Sequence, residues 1–148
     1  MTKPIRVRYT GGKVLRQTYD EAYKGEIYGR YKWEDLMKTE KTHFGSMFEI
    51  NAQREFEFES GEATDFTIAG HEVDAKWSQS DGGWMLPPEV FDKIALVATG
   101  SDAEAEWSLG LVRVSQKNRR VKANRDRKSQ LTPFFLESRC GVFVDFNR

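Results

Sequence analysis

The chain has 148 residues, with 23 Lys and Arg against 23 Asp and Glu and a formal net charge of zero; that length fits one domain built on a single sheet with a few helices. Hydrophobic residues make up 39%, enough for a small core, but no apolar run approaches the roughly 20 residues that cross a bilayer, and no apolar stretch follows Met1-Thr2-Lys3-Pro4 to act as a secretory signal. The single cysteine, Cys140, can form neither an internal disulfide nor a zinc site by itself, so a reducing, cytoplasmic setting is expected.

In chain order, the first thirty residues are mixed in pattern, with Thr10-Gly11-Gly12 reading as a turn. Helices are predicted over Tyr31–Lys38 and Thr42–Arg54, the second from the spacing of Phe44, Met47 and Phe48, with Thr42 as its cap. Glu55-Phe56-Glu57-Phe58-Glu59 alternates acid and aromatic, a period-two strand signal. Thr64–Ile68 and His71–Trp77 read as strands joined by Ala69-Gly70. Ser78–Gly83 reads as a polar loop, and Pro87-Pro88-Glu89 as the start of a short helix. Lys93–Thr99 carries the all-apolar run of a buried central strand. After a turn at Gly100-Ser101-Asp102, Trp107–Val114 and then Val142-Phe143-Val144 read as further strands. The expected architecture is α/β, a central mixed sheet flanked by helices in one domain over residues 1–148.

Charge is unevenly spread. Arg113, Lys117, Arg119, Arg120, Lys122, Arg125, Arg127 and Lys128 lie in one stretch against the single acid Asp126, which leaves 15 bases and 22 acids elsewhere. A basic stripe on an acidic chain is the footprint of phosphate binding; a solvated basic loop is the competing reading.

The hairpin suggests chemistry. A two-residue turn at Ala69-Gly70 sets Ile68 opposite His71, Thr67 opposite Glu72, Phe66 opposite Val73 and Asp65 opposite Asp74. Opposed residues in an antiparallel pair stand about 4.5–5.5 Å apart, so two carboxylates there repel unless a positive charge lies between them, and a divalent cation resolves the conflict. Lys76, two residues beyond Asp74, leaves the same face about 6–7 Å along the strand. Two acids and a lysine on one face supply what phosphodiester hydrolysis needs: hard oxygen ligands for magnesium, a polarised phosphoryl group with an acidified water, and an ammonium where negative charge develops. An exposed salt bridge among the three is the alternative.

The spacing of Asp65 and Asp74-Ala75-Lys76 resembles that of the PD-(D/E)xK nuclease superfamily. Tyr28-Gly29-Arg30-Tyr31, Lys38-Thr39-Glu40-Lys41-Thr42-His43, Glu49-Ile50-Asn51, Gln53-Arg54-Glu55-Phe56, Ile68-Ala69-Gly70, Asp81-Gly82-Gly83-Trp84-Met85, Pro87-Pro88-Glu89, Gly110-Leu111-Val112-Arg113 and Asn124-Arg125-Asp126 run in order, and together they resemble the endonuclease domain of the NaeI family of type II restriction enzymes. The resemblance implies a restriction-endonuclease-like core and magnesium-dependent cleavage of double-stranded DNA at a short palindrome. It assigns Asp65, Asp74 and Lys76 to the active site and adds Glu49 as a helix acid aimed at the metal; the residues alone read Glu49 only as a helix-surface acid. It also implies a homodimer, a methyltransferase protecting the host DNA, and a prokaryotic cytoplasm. Members of the family carry a second, C-terminal DNA-binding domain, and these 148 residues leave no room for it, so a fragment or a single-domain relative is expected.

For DNA contact, Gln79, Ser80, Asp81 and Trp84 in the loop after the hairpin are candidates to approach base edges, and the basic stripe from Arg113 to Lys128 to hold the backbone. Trp77 and Trp107 read as packing residues. His43 and His71 lack the partners a general base needs. Three other functions compete: a repair or recombination nuclease on the same fold, a DNA-binding module whose nuclease site no longer works, and a globular domain with no nucleic-acid role.

Overall fold

The computed structural model describes residues 3–79, 83–116, 119, 128, 130, 131 and 140–145. Helix α1 (Lys3–Tyr23) is followed by the short helix α2 (Gly25–Tyr28), a 3-10 turn at Trp33–Asp35 and helix α3 (Lys38–Phe56). Six strands follow, β1 (Glu59–Ser60), β2 (Phe66–Ile68), β3 (His71–Ser78), β4 (Ile94–Ser101), β5 (Glu106–Arg113) and β6 (Cys140–Asp145). They form one sheet in chain order. The β1–β2, β2–β3 and β4–β5 pairs are antiparallel, and β3–β4 and β5–β6 are parallel. This is the expected mixed central sheet.

Residue alternation divides the sheet into two faces. Val73 and Ala75 of β3, Ile94, Leu96 and Ala98 of β4, and Leu109 of β5 pack with Val14 and Leu15 of α1 and Phe48 and Ala52 of α3. On the opposite face Ala95, Val97 and Val112 pack under Trp84, Leu86, Val90 and Leu131. By the same alternation Glu72, Asp74, Lys76 and Ser78 leave β3 on the face turned away from the helices.

Four expectations are revised. Thr10-Gly11-Gly12 is no turn but lies within α1. Val14, Leu15, Thr18, Tyr19, Ala22 and Tyr23 are buried at helical spacing. A Cβ on Gly11 would lie 3.1 Å from both Leu109 Cδ2 and the Trp107 ring, so these glycines let the helix approach the sheet closely. Over 31–38 the predicted helix reduces to the 3-10 turn. Helix α3 begins at Lys38, four residues before Thr42, whose hydroxyl donates to the Lys38 carbonyl at 3.0 Å inside the helix; the cap interaction runs instead from the Met37 N–H to the Glu40 carboxylate at 2.8 Å. The acid–aromatic run at 55–59 is strand only at its last residue, Glu59, because α3 continues through Phe56 and ends on Glu57 in the left-handed region, with Phe56 and Phe58 stacked at 5.0 Å.

The hairpin forms in the predicted register, Phe66 to Val73, Thr67 to Glu72 and Ile68 to His71. Ala69 and Gly70 have φ of 51° and 79°, the two positive values of a type I′ turn.

Candidate active site

Strand β2 pairs with β3 only as far as Val73, so from Asp74 onward that edge of β3 is open. Asp65, one residue outside the ladder, turns its carboxylate to this edge, and Oδ2 accepts the Ala75 N–H at 2.7 Å. The expected opposition of Asp65 and Asp74 is thereby adjusted: the two acids are adjacent, but one is tied to the backbone of the other's strand. Glu49 approaches from α3, the helix that packs on β3.

Electrostatics tie these groups together. Burial pushes the Asp74 carboxyl above its ordinary range; the Lys76 ammonium opposes that shift and the Asp65 carboxylate adds to it. Burial likewise raises Glu49, followed by the charge of Asp65 and a hydrogen bond with it, then the charge of Asp74, with Lys76 again opposing. Lys76 Nζ stands 2.9 Å from Asp74 Oδ2. Oδ2 is buried, and the Lys76 ammonium is the charge set against it. Burying a carboxylate beside a single ammonium is costly.

The buried Asp74 carboxylate, with the Asp65 and Glu49 carboxyls beside it, forms a set of hard oxygen atoms. Among the described residues no three His, Cys, Asp or Glu side chains close into a metal cage. Magnesium does not require one, since one or two carboxylates with water and substrate phosphate suffice. The donor set of Asp74, Asp65 and Glu49 is all carboxylate oxygen, and it suits this ion better than a softer one.

The candidate DNA contacts are placed differently. Gln79 is exposed just after β3 and lines a cleft of about 360 Å³ with Thr99, Ser101, Glu104, Glu106 and Ser108. By alternation Thr99 and Ser108 lie on the sheet face that carries Asp74 and Lys76. Trp84 departs from expectation: it is 1% exposed in the second core cluster and donates its indole N–H to the Ala98 carbonyl at 2.9 Å, which withdraws it from any contact with DNA. Arg113 donates to the Asp92 carbonyl at 2.9 Å, Arg119 stacks on Phe91 at 3.8 Å, and Lys128 is exposed. Ser80, Asp81, Lys117, Arg120, Lys122, Arg125 and Arg127 lie outside the described residues. Glu72, which accepts hydrogen bonds from Glu62, Ala63 and Thr64, carries no sign of these partners in the sequence beyond being an acid two residues before Asp74.

A mixed sheet with helices on one face, and an acid, an acid and a lysine gathered at one hairpin, is the core of the PD-(D/E)xK nuclease superfamily. The family model described as restriction endonuclease NaeI matches residues 9–140, and the chain belongs to that family. It is 50% identical over 120 residues to the type II restriction enzyme NaeI of Lentzea aerocolonigenes. The alignment covers 81% of this chain but only 38% of that enzyme. Among the described residues no helix is long and apolar enough to cross a membrane.

Proposed function

We propose that the chain is a magnesium-dependent nuclease that hydrolyses phosphodiester bonds of double-stranded DNA at a specific short palindrome, as a type II restriction endonuclease does. The observation that carries this reading is the buried Asp74 carboxylate, paired with the Lys76 ammonium at 2.9 Å and adjacent to Asp65 and Glu49, in a chain of the NaeI family. Asp74 and Asp65 are the proposed magnesium ligands, with Glu49 joining from α3. When bound, the ion polarises the phosphoryl group and acidifies a water. Lys76 then adds positive charge where the phosphate oxygens become more negative.

The duplex is proposed to lie on the face that carries Asp74 and Lys76. Gln79 reads base edges from the cleft at the end of β3, Ser80 and Asp81 are proposed to share that role, and the basic residues between Arg113 and Lys128 to hold phosphates. Cutting both strands of a palindrome calls for two copies related by a two-fold axis, and host DNA then needs a methyltransferase to protect it.

Digestion of plasmid DNA by the 148-residue chain tests this, with magnesium and with a chelator, beside Asp74→Ala and Lys76→Ala. Discrete fragments that require magnesium and vanish in both variants are expected. Specific binding without cutting would make the chain a binding module, and neither cutting nor binding would overturn the reading. Cutting that follows DNA structure rather than sequence would point to repair.

A further inference from the structure

We propose that Glu72 is a positioning residue of this site: its carboxylate clamps the Glu62–Thr64 loop and so sets Asp65 against Glu49 and Asp74. The inference rests on the nuclease reading above.

Glu72 lies on β3 opposite Thr67, on the face that carries Asp74 and Lys76. An acid there ordinarily faces water. Here Oε1 accepts the Glu62 N–H at 2.9 Å, and Oε2 accepts the Ala63 N–H at 3.3 Å, the Thr64 N–H at 3.0 Å and the Thr64 hydroxyl at 2.6 Å. Four donors of one loop thus converge on a single carboxylate, three of them on Oε2. The loop belongs to no strand or helix; the Gly61 N–H donates to the Asp65 carbonyl at 3.3 Å across it, and the Thr64 hydroxyl also lies 3.3 Å from the Phe66 carbonyl.

The clamp is tight. A Cβ on Gly61 would lie 2.3 Å from the Thr64 carbonyl oxygen and 2.8 Å from Glu72 Oε2, so only glycine lets the chain fold this closely over the carboxylate. Directly after Thr64 comes Asp65, fixed to the Ala75 N–H. The segment is therefore tied to β3 at two points, by Glu72 just before Asp65 and by Ala75 at the Asp65 carboxylate itself. Without the Glu72 carboxylate four donors lose their acceptor, the loop regains conformational freedom, and Asp65 keeps its carboxylate bond to the Ala75 N–H and the Gly61 N–H on its carbonyl. Outer-shell partners of this kind typically change metal affinity or activity about 10–100-fold.

The test uses the full chain and Glu72→Ala, Glu72→Gln and Gly61→Ala, with Thr67→Ala as a control for perturbing the same hairpin. Each protein is followed by cleavage kinetics on a duplex, by thermal unfolding, and by Mn2+ binding in the absence of DNA, read by electron paramagnetic resonance. Glu72→Ala and Gly61→Ala are expected to lower kcat about 10–100-fold with KM for DNA nearly unchanged, and to weaken Mn2+ binding by a similar factor. Glu72→Gln, which keeps one acceptor oxygen, is expected to fall between them and wild type. Thr67→Ala is expected to leave both kcat and Mn2+ binding at the wild-type level whatever it does to stability. Wild-type Mn2+ affinity in folded Glu72→Ala or Gly61→Ala overturns the clamp, as does a loss confined to unfolding temperature. If Glu72→Ala does not fold, Glu72→Gln and Gly61→Ala decide by the same criteria. A wild type that binds Mn2+ but cuts no DNA defeats the nuclease reading, and the clamp is then judged on Mn2+ affinity; a wild type that does neither overturns both.

Discussion

The Asp65 carboxylate accepts the Ala75 N–H at 2.7 Å, so an acid of the candidate metal site also closes the hydrogen bonding of β3 where β2 stops. Ala75 is buried, and its N–H has no strand neighbour on that side.

This dual use separates two substitutions. Asp65→Ala leaves the Ala75 N–H without an acceptor, which costs about 1–3 kcal/mol. Asp65→Asn retains an amide oxygen in the same place but loses the charge. Both are expected to abolish magnesium-dependent cleavage, while only Asp65→Ala lowers the thermal midpoint by several degrees, since about 1 kcal/mol moves a domain of this size by roughly 2–8 °C. Scanning calorimetry beside a plasmid assay checks this; equal midpoints for the two variants would mean that the hydrogen bond carries no stability.

Asp74 leads to a pH-dependent prediction. Burial is the largest cause of its raised pKa and outweighs the attraction of Lys76. Below the unfolded carboxyl pKa, about 3.9, the group is protonated in both states and its burial costs little. As pH rises through the elevated folded value, the folded chain must ionise a buried acid while the unfolded chain ionises in water, so stability is lost. Glu49, raised chiefly by burial as well, adds a loss in the same direction. Asp74→Asn is therefore expected to unfold at a higher temperature than wild type at pH 8 in a chelator, with the gap closing toward pH 4. Magnesium, if the proposed site holds it, is expected to reverse the comparison. A ligand that binds only the folded state adds about 2.7 kcal/mol at 100 times its Kd, and wild type gains this where Asp74→Asn does not. Unfolding midpoints across pH, with and without magnesium, read both effects; a variant less stable than wild type at pH 8 without metal would show that the Lys76 pair outweighs burial.

Much of the sheet was legible because its signals are local. Ala69-Gly70 between two alternating runs fixes the hairpin register, and the apolar run 94–98 can only be a covered strand. That register also brought Asp65, Asp74 and Lys76 to one end of the hairpin. What could not be read depends on distant partners. Glu57 ends α3 at a point the acid–aromatic alternation does not mark. Trp84 sits in a polar stretch, and only the Ala98 carbonyl and the second core cluster draw it inward. Glu72 looks like a solvated strand acid until the loop before Asp65 folds onto it. Glu49 was located by resemblance rather than by pattern, because nothing local shows which side of α3 meets the open edge of β3.

The glycines of α1 show the same dependence and allow a quantitative test. Gly11 and Gly12 read as a turn in sequence, yet their helix faces Trp107 and Leu109, nearly a hundred residues later. A Cβ at Gly11 meets Leu109 and Trp107 at 3.1 Å, whereas at Gly12 its nearest contact is the Trp107 ring at 3.4 Å, ordinary van der Waals range. Gly12→Ala is expected to stabilise the chain by about 0.5–1 kcal/mol, through the lower helix propensity of glycine and the freedom it gives the unfolded state. Gly11→Leu must push α1 off the sheet and is expected to cost about 1–3 kcal/mol. Urea unfolding reads both as shifts of the midpoint in opposite directions at constant slope. A Gly11→Leu protein as stable as wild type would mean that α1 has room to move, and that close approach to β5 is not why glycine stands in the middle of this helix.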